Sequence, residues 1–380
     1  MKHKVELPAG TLNLKVTRWD YPLEDLCGFA SRANAKRGFL FVSKVLGKHV
    51  PVKPSSMTPI HQRLAQKIWE ILERENATNE PFLALALAET ATGLGQSVYE
   101  HLLEHSKVQN LFVHSSRYLI SGFELLEFEE SHSHASDHLI HLPNEPLERT
   151  VFQSAKTLIL IDDEMSTGNT FLNLARAYSA RHPQLERIVV VTLTDWAGQG
   201  RRRELLEKMP ATTHLVSVLE GEYQWTANPN FVLAPTRAAH GNGEPKNGLL
   251  ERNFSRLGVM ENPRVDFAVL LRQIGVNLTP LLKILVLGTG EFTYLPFKLA
   301  QWLERQGLEV HFQSTTRSPI VLGGAIGTKL EFPDHYADGI PNYVYNLEPH
   351  DYDLILIGLE TPLEPNHPLL DLTKGIPVYF

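Results

Sequence analysis

Residues Leu158 to Thr170 read LILIDDEMSTGNT. Four apolar, β-forming residues run directly into two adjacent carboxylates, Asp162 and Asp163. A Ser166-Thr167-Gly168 turn follows, then Asn169, Thr170 and an amphipathic stretch, FLNLARAYSA. The pattern predicts a buried strand that carries carboxylates to its C-terminal end, and a turn that opens a helix. Amides at a helix N-terminus favour anions, and Gly168 allows close backbone approach. Carboxylates accept sugar hydroxyls and amides take phosphate, so a sugar phosphate fits the stretch. Adjacent carboxylates repel and need a cation or hydroxyl partner. The bland alternative, a solvated turn with a side-chain N-cap, accounts only for Ser166 or Thr167. No G-x-x-x-x-G-K-[ST] sequence occurs, which argues against a P-loop NTPase.

Two further groups carry chemistry. Glu89-Thr90-Ala91-Thr92-Gly93, continuing to Gly95, is a loop of small residues after an apolar run, FLALALA. Such loops let amides converge on an anion, although many are plain connections. Arg117 follows another apolar run, where a guanidinium pairs bidentately with phosphates or forms a surface ion pair.

These residues need a frame. Residues 59–77 have apolar positions at helical spacing, 82–88 read as a strand, 96–105 as a helix, 111–120 as a strand, and 187–196 as a buried strand. Residues 121–150 are polar, acidic and histidine-rich and read as a long loop or hairpin. Alternating strands and helices predict an α/β fold with a parallel, doubly wound sheet whose ligands sit at the carboxyl ends of its strands. A Gly/Pro/Asn-rich stretch from Thr226 to Gly248 marks the boundary between domains 1–250 and 251–380. The second unit looks like a smaller, degenerate copy of the first. KILVLGTGEFTYLPFKLAQWLE parallels FLALALAETATGLGQSVYEHLLE, and FQSTTRSP parallels FVHSSRYL, so Arg317 stands against Arg117. LILIGLET parallels LILIDDEM, which puts Gly358 and Leu359 where Asp162 and Asp163 stand. Gly288, Gly290, Glu291, Thr316, Arg317 and Ser318 then outline an anion site in the second unit.

Composition narrows the class. The chain has 380 residues, 43% hydrophobic and 21% charged, with net charge −7 and one cysteine, Cys27. The charge argues against general nucleic-acid binding, and the lone cysteine fits a reducing cytoplasm. The opening MKHKVELPAG lacks a secretory apolar region, and no run of about 18 apolar residues predicts a membrane span.

In order along the chain, RGFLFVSKVLGKHVPV, AETATGLGQSVYE, HSSRY, FEESHSHASDHL and LILIDDEMSTG resemble the tellurium-resistance-associated phosphoribosyltransferase domain, a type I, orotate phosphoribosyltransferase-like unit. GTGEFTYLP, TRSP (316–319) and DGIPNYVYN resemble the TRSP domain that accompanies it. The resemblance implies binding of phosphoribosyl pyrophosphate (PRPP) with Mg²⁺ and transfer to a nitrogenous base or base-like acceptor, in a cytoplasmic, stress-linked route to a nucleoside-like metabolite. A homodimer is the expected assembly.

The resemblance also assigns roles. Asp162 and Asp163 meet the ribose hydroxyls directly or through the metal; Ser166 to Thr170 hold the 5′-phosphate; Glu89 to Gly93 form the pyrophosphate loop with Arg117. Lys44, with Lys48 and His49 beside it, is open to two readings: a contact to the base or pyrophosphate, or a solvated basic face. Glu164 departs from the signature, which has an apolar residue there, and is open to a role at the base or metal. Glu130, His132, His134 and His138 lie in a segment open to three readings: a hood over PRPP, a metal site, or an exposed polar loop. Two other readings of the whole chain stay open: a PRPP-binding regulator without turnover, and a bifunctional enzyme with a second activity in the TRSP half.

Overall fold

Phe82–Ala86 and Arg187–Asp195 are buried along their whole length, as strands covered on both faces must be. With Thr157–Met165 between them they form the middle of a seven-stranded sheet. The computed structural model describes residues 1–32, 37–126, 138–232, 244–246 and 254–380. Across the sheet the order is Lys2–Leu7, Gly10–Trp19, Thr212–Ala227, Arg187–Asp195, Thr157–Met165, Phe82–Ala86 and Leu111–His114. The last five run parallel, and an antiparallel N-terminal hairpin closes the edge beside Thr212–Ala227.

Period-two alternation sorts the side chains into two cores. Ile159, Ile161, Val189 and Val191 face the helices Pro54–Arg74 and Thr92–Leu103, while Leu158, Leu160, Ile188 and Val190 face Pro146–Ser154 and Asn169–Arg181. The expected α/β architecture is therefore observed. The helix expected at 59–77 starts earlier, at Pro54, because proline suits a first helical position whose N–H lacks a partner anyway. The segment read as a loop or hairpin, 121–150, contains the paired strands Leu125–Leu126 and Ile140–His141 and the start of the helix Pro146–Ser154.

A second sheet lies in the C-terminal part: Glu309–Ser314, Lys283–Gly288, Leu354–Leu359 and Ile376–Tyr379, all parallel. Its order matches Leu111–His114, Phe82–Ala86, Thr157–Met165 and Arg187–Asp195 strand for strand. The connections match as well. Tyr294–Arg305 stands where Thr92–Leu103 does, and the hairpin Lys329–Pro333/Pro341–Tyr345 stands where Leu125–Leu126/Ile140–His141 does.

The two sheets share cores. Val52 and Phe312 exchange backbone hydrogen bonds of 2.9 and 2.8 Å, and Val52 and Met57 belong to the apolar cluster of the second sheet. The hairpin Cys27–Ser31/Phe39–Ser43 is held between the halves. Phe39 and Phe41 pack into the main core, while Ala30 and Val42 pack against Ile320, Ile326 and Tyr345. No described helix is long and apolar enough to cross a membrane.

Candidate functional site

From Phe82–Ala86 the chain moves outward to one edge strand; from Thr157–Met165 it moves the other way. The carboxyl ends of these two strands are the switch point, where open α/β sheets bind ligands. One strand leads to Glu89 and the other carries Asp162 and Asp163.

Asp162 and Asp163 are half-buried, and the Asp163 N–H donates to Asp162 Oδ1 at 2.9 Å. Among the described residues neither carboxylate has an ion-pair partner. Burial and the adjoining Asp163 raise the Asp162 pKa; burial and Glu164 raise that of Asp163. Both therefore resist carrying charge until a cation or hydroxyl arrives. Glu164 is already engaged: Arg37 Nη2 donates to it at 2.5 Å, and that guanidinium lies over the Phe39 and Phe41 rings at 4.9 and 5.6 Å. The residue left open to a base or metal role is thus an ion-pair partner of the hairpin.

Gly168 is left-handed at φ +77°, and a Cβ there would come within 2.5 Å of Leu205 Cδ2, so the turn requires glycine. It is the N-cap of Asn169–Arg181, and among the described residues no side chain caps that helix. The Thr167 hydroxyl is 3.4 Å from the Asn169 N–H, a long contact. The Thr170 amide, and the weakly engaged Asn169 amide, can turn to an anion.

Glu89 stands at the other strand end, after a cis Ala88–Glu89 peptide. Lys48, 2% exposed, donates to Glu89 Oε1 at 2.5 Å, to the Thr315 carbonyl at 2.8 Å and to the Gly290 carbonyl at 3.3 Å. Burial would raise the Glu89 pKa, but Lys48, Arg317 and Arg117 outweigh it and hold the carboxyl below its usual range. Arg117 Nη2 donates to the Ala88 carbonyl at 3.2 Å. Arg32 has no hydrogen bond from its side chain among the described residues; burial, then Arg37, with Arg117 also contributing, pull its pKa down. Lys48, Arg117 and Arg317 thus surround one carboxylate, with Arg32 near Arg117, an excess of positive charge fitted to a multiply charged anion. Arg32 precedes a polar stretch with no motif around it, so nothing in the sequence marks it.

Other expected residues are placed differently. Thr92 Oγ1 lies 2.8 Å from Thr293 Oγ1 and donates to the Glu291 carbonyl at 2.8 Å, while a Cβ on Gly93 would meet Thr293 Oγ1 at 2.7 Å. Thr92 and Gly93 thus serve the contact between halves, and Ala91 is the helix N-cap between them and Thr90. Lys44 donates to the Glu24 carbonyl at 2.7 Å and lines a separate cavity of about 510 Å³ with Glu6, Cys27, Val42 and Ala325. It is not brought to the strand ends; Lys48 is. Glu130, His132 and His134 lie outside the described residues. His138 is described, with Nδ1 3.0 Å from Ser115 Oγ; burial, then Arg117 and Arg317, keep it neutral.

Of the residues outlined as a second-unit anion site, Glu291 and Arg317 meet the first half. Glu291 is buried and accepts from Ser116 Oγ at 2.8 Å, from the Arg117 N–H and from Arg256 Nε at 3.1 Å. Arg256, 1% exposed, also holds Glu360 bidentately at 2.7 and 2.7 Å, and Tyr336 donates to Glu360 at 2.8 Å. Gly290 donates to Thr315 Oγ1 at 2.9 Å. Beyond Gly288, at the end of its strand, Thr316 pairs with Tyr343 through the backbone, and Ser318 N–H donates to Thr316 Oγ1 at 3.2 Å.

For a metal, the described residues contain no cluster of three or more His, Cys, Asp or Glu ligands. Two adjacent carboxylates without a cation partner among the described residues fit Mg²⁺, which takes one or two protein carboxylates and completes its shell with substrate oxygens and water.

Residues 26–222 match the model of a family described as phosphoribosyl transferase, PRTase_2, and residues 253–373 match the TRSP domain, described as C-terminal to PRTase_2. No curated protein matches the chain. Among solved structures, a hypoxanthine phosphoribosyl transferase of Trypanosoma cruzi is 12% identical, with 46% of this chain and 80% of that one covered and a TM-score of 0.29. A hypoxanthine-guanine phosphoribosyltransferase of Bacillus anthracis is 14% identical, with 44% and 82% covered and a TM-score of 0.26.

Proposed function

The chain belongs to the PRTase_2 family of phosphoribosyltransferases, with a TRSP domain following, and from that premise we propose that it binds PRPP with Mg²⁺ at the switch point and transfers the phosphoribosyl group to a nitrogenous base. Its class is pentosyltransferase. One observation carries the reading: two carboxylates without a cation partner stand at one strand end, facing a cluster of arginines at the next.

That polarity matches the substrate. The Ser166–Thr170 turn takes the 5′-phosphate, Asp162 and Asp163 take the ribose hydroxyls, and Arg32, Arg117 and the Glu89–Gly93 loop take the pyrophosphate. Mg²⁺ held by Asp162 and Asp163 would neutralise charge on the departing pyrophosphate. The C1–O bond breaks and pyrophosphate leaves with its electron pair. An acceptor nitrogen then forms the C1–N bond and releases its proton. Positive charge gathers on the ribosyl carbon between these events, and the two aspartates stabilise it where it develops. Lys48 neutralises Glu89 and so keeps that carboxylate from repelling the pyrophosphate. The product would be a nucleoside-like phosphate, consistent with a stress-linked metabolite route.

The test is pyrophosphate release from PRPP with Mg²⁺ across purine, pyrimidine and orotate-like acceptors. Release dependent on one acceptor is expected. Asp162→Asn with Asp163→Asn should lower it by about a hundred-fold or more while the melting temperature is retained. Unchanged turnover in that variant would sink the assignment.

A further inference from the structure

The two halves meet as approximate copies meet across a two-fold axis. In such a contact a position touches its own equivalent. Thr92 and Thr293, at the starts of the helices that follow the equivalent strands Phe82–Ala86 and Lys283–Gly288, touch at 2.8 Å. The strand ends beside them repeat one pattern of bonds. Ser116 exchanges backbone hydrogen bonds of 2.7 and 2.8 Å with Leu139, and Thr316 exchanges bonds of 2.9 and 2.7 Å with Tyr343. Tyr118 N–H donates to Ser116 Oγ at 3.0 Å, and Ser318 N–H donates to Thr316 Oγ1 at 3.2 Å. Arg117 and Arg317 are therefore the same position in the two copies.

In its own half the ion-pair partner of Arg317 among the described residues is Asp338, at 3.8 Å. Where the first copy carries Asp162 and Asp163, the second has Gly358 and Leu359. A Cβ on Gly358 would lie 2.5 Å from Pro296 Cγ, and Leu359 is wholly buried. The next residue, Glu360, is taken bidentately by Arg256. Arg317 also reaches across the interface to Tyr118 and Glu89. The Arg317 side chain is 12% exposed and lies over the Tyr118 ring at 5.5 Å. Its nearest carboxylate oxygens are on Glu89 at 3.5 Å and Asp338 at 3.8 Å, and these carboxylates are already held by Lys48 at 2.5 Å and Lys246 at 2.7 Å. Among the described residues its guanidinium makes no hydrogen bond. A largely buried fork of five donors, held beside the pyrophosphate loop with its hydrogen bonds unmade, is fitted to a phosphate.

We propose that Arg317 of the TRSP half is a pyrophosphate-contacting residue of the site in the first half, supplied across the internal pseudo-two-fold interface. The two anion-binding stretches then form one composite site, and the degenerate copy has kept the element that serves its neighbour while losing its own. The proposal rests on the reading of that site as a PRPP site.

Isothermal titration of the full chain tests it, with PRPP, inorganic pyrophosphate and ribose 5-phosphate as probes, each with Mg²⁺. Arg317→Gln should weaken PRPP and pyrophosphate by about 10- to 100-fold, the range of a charge-assisted contact, and leave ribose 5-phosphate unchanged. Arg317→Lys, which keeps the charge without the fork, should recover only part of the loss; it also decides the matter if the glutamine variant fails to fold. Unaltered PRPP and pyrophosphate affinity in a folded variant would overturn the role of Arg317 and leave the PRPP site standing. Equal loss for all three probes would overturn it in favour of a purely structural arginine. A wild-type chain that binds no PRPP would remove the reading of the site, and the proposal with it.

Discussion

Arg256 shows how strongly single side chains tie this molecule together. It is buried to 1%, its pKa is raised because two carboxylates outweigh the effect of burial, and its partners Glu291 and Glu360 are equally buried. Removing one partner of a buried ionic cluster strands the others without compensation, at a cost of about 3–5 kcal/mol. Arg256→Met should therefore shift the midpoint of urea unfolding sharply down; a midpoint within experimental error of wild type would show that water reaches the two glutamates. The sequence made Asp162 and Asp163 legible because the chemistry and its frame sit in one continuous stretch, a buried strand running into a turn. It did not reveal Arg32 or Arg256, and it placed Arg317 in a site of its own. A lone arginine acquires meaning only from partners far along the chain, here Glu291 and Glu360 for Arg256 and Glu89 for Arg317.

Among the elements, the helix Pro54–Arg74 does the most joining. Its apolar stripe of Ile60, Leu64 and Ile68 lies on the main core, while His61 turns toward the second half. His61 Nδ1 is 2.9 Å from Ser97 Oγ, its ring meets Phe297 edge-on at 5.5 Å, and among the described residues Nε2 has no hydrogen-bond partner. Burial, then the nearby His101 and Lys298, push its pKa from 6.5 down to about 3. The unfolded chain thus takes a proton that the folded chain refuses. This contribution to stability is complete above pH 6.5 and is lost as pH falls toward about 3. His61→Gln should flatten the fall in stability below pH 6.5 by up to about 1.4 kcal/mol per pH unit, followed by denaturant titration at several pH values. An unaltered slope would mean that His61 is solvated in the fold. Buried parallel strands were readable as unbroken apolar runs. The N-terminal hairpin and Thr212–Ala227 were not assigned, because half-exposed strands with polar residues take their pairing from one another.

At the scale of the whole chain, the expected division at residue 250 does not coincide with a division between cores. Ala30, Val42, Val52 and Met57 precede that point and are buried against residues that follow it. A chain ended at residue 250 should therefore expose apolar surface, bind a hydrophobic dye and associate, as judged by dye fluorescence and size-exclusion chromatography. A monodisperse fragment that binds no dye would show that the first half closes over this surface unaided. The repeated strand order was foreshadowed by the paired segments of sequence, but how the copies face each other was not, since no local pattern encodes a contact between equivalent positions.

The contact of Thr92 with Thr293 also bears on how the protein behaves when it is scarce. Surfaces that meet as separate chains come apart on dilution, and anything assembled between them goes with them. Here the peptide chain holds one surface near the other at an effective concentration on the order of millimolar. Assembly of the interface is thus unimolecular: it forms as readily in a cell with a handful of copies as in one with thousands, and needs no second molecule to be found.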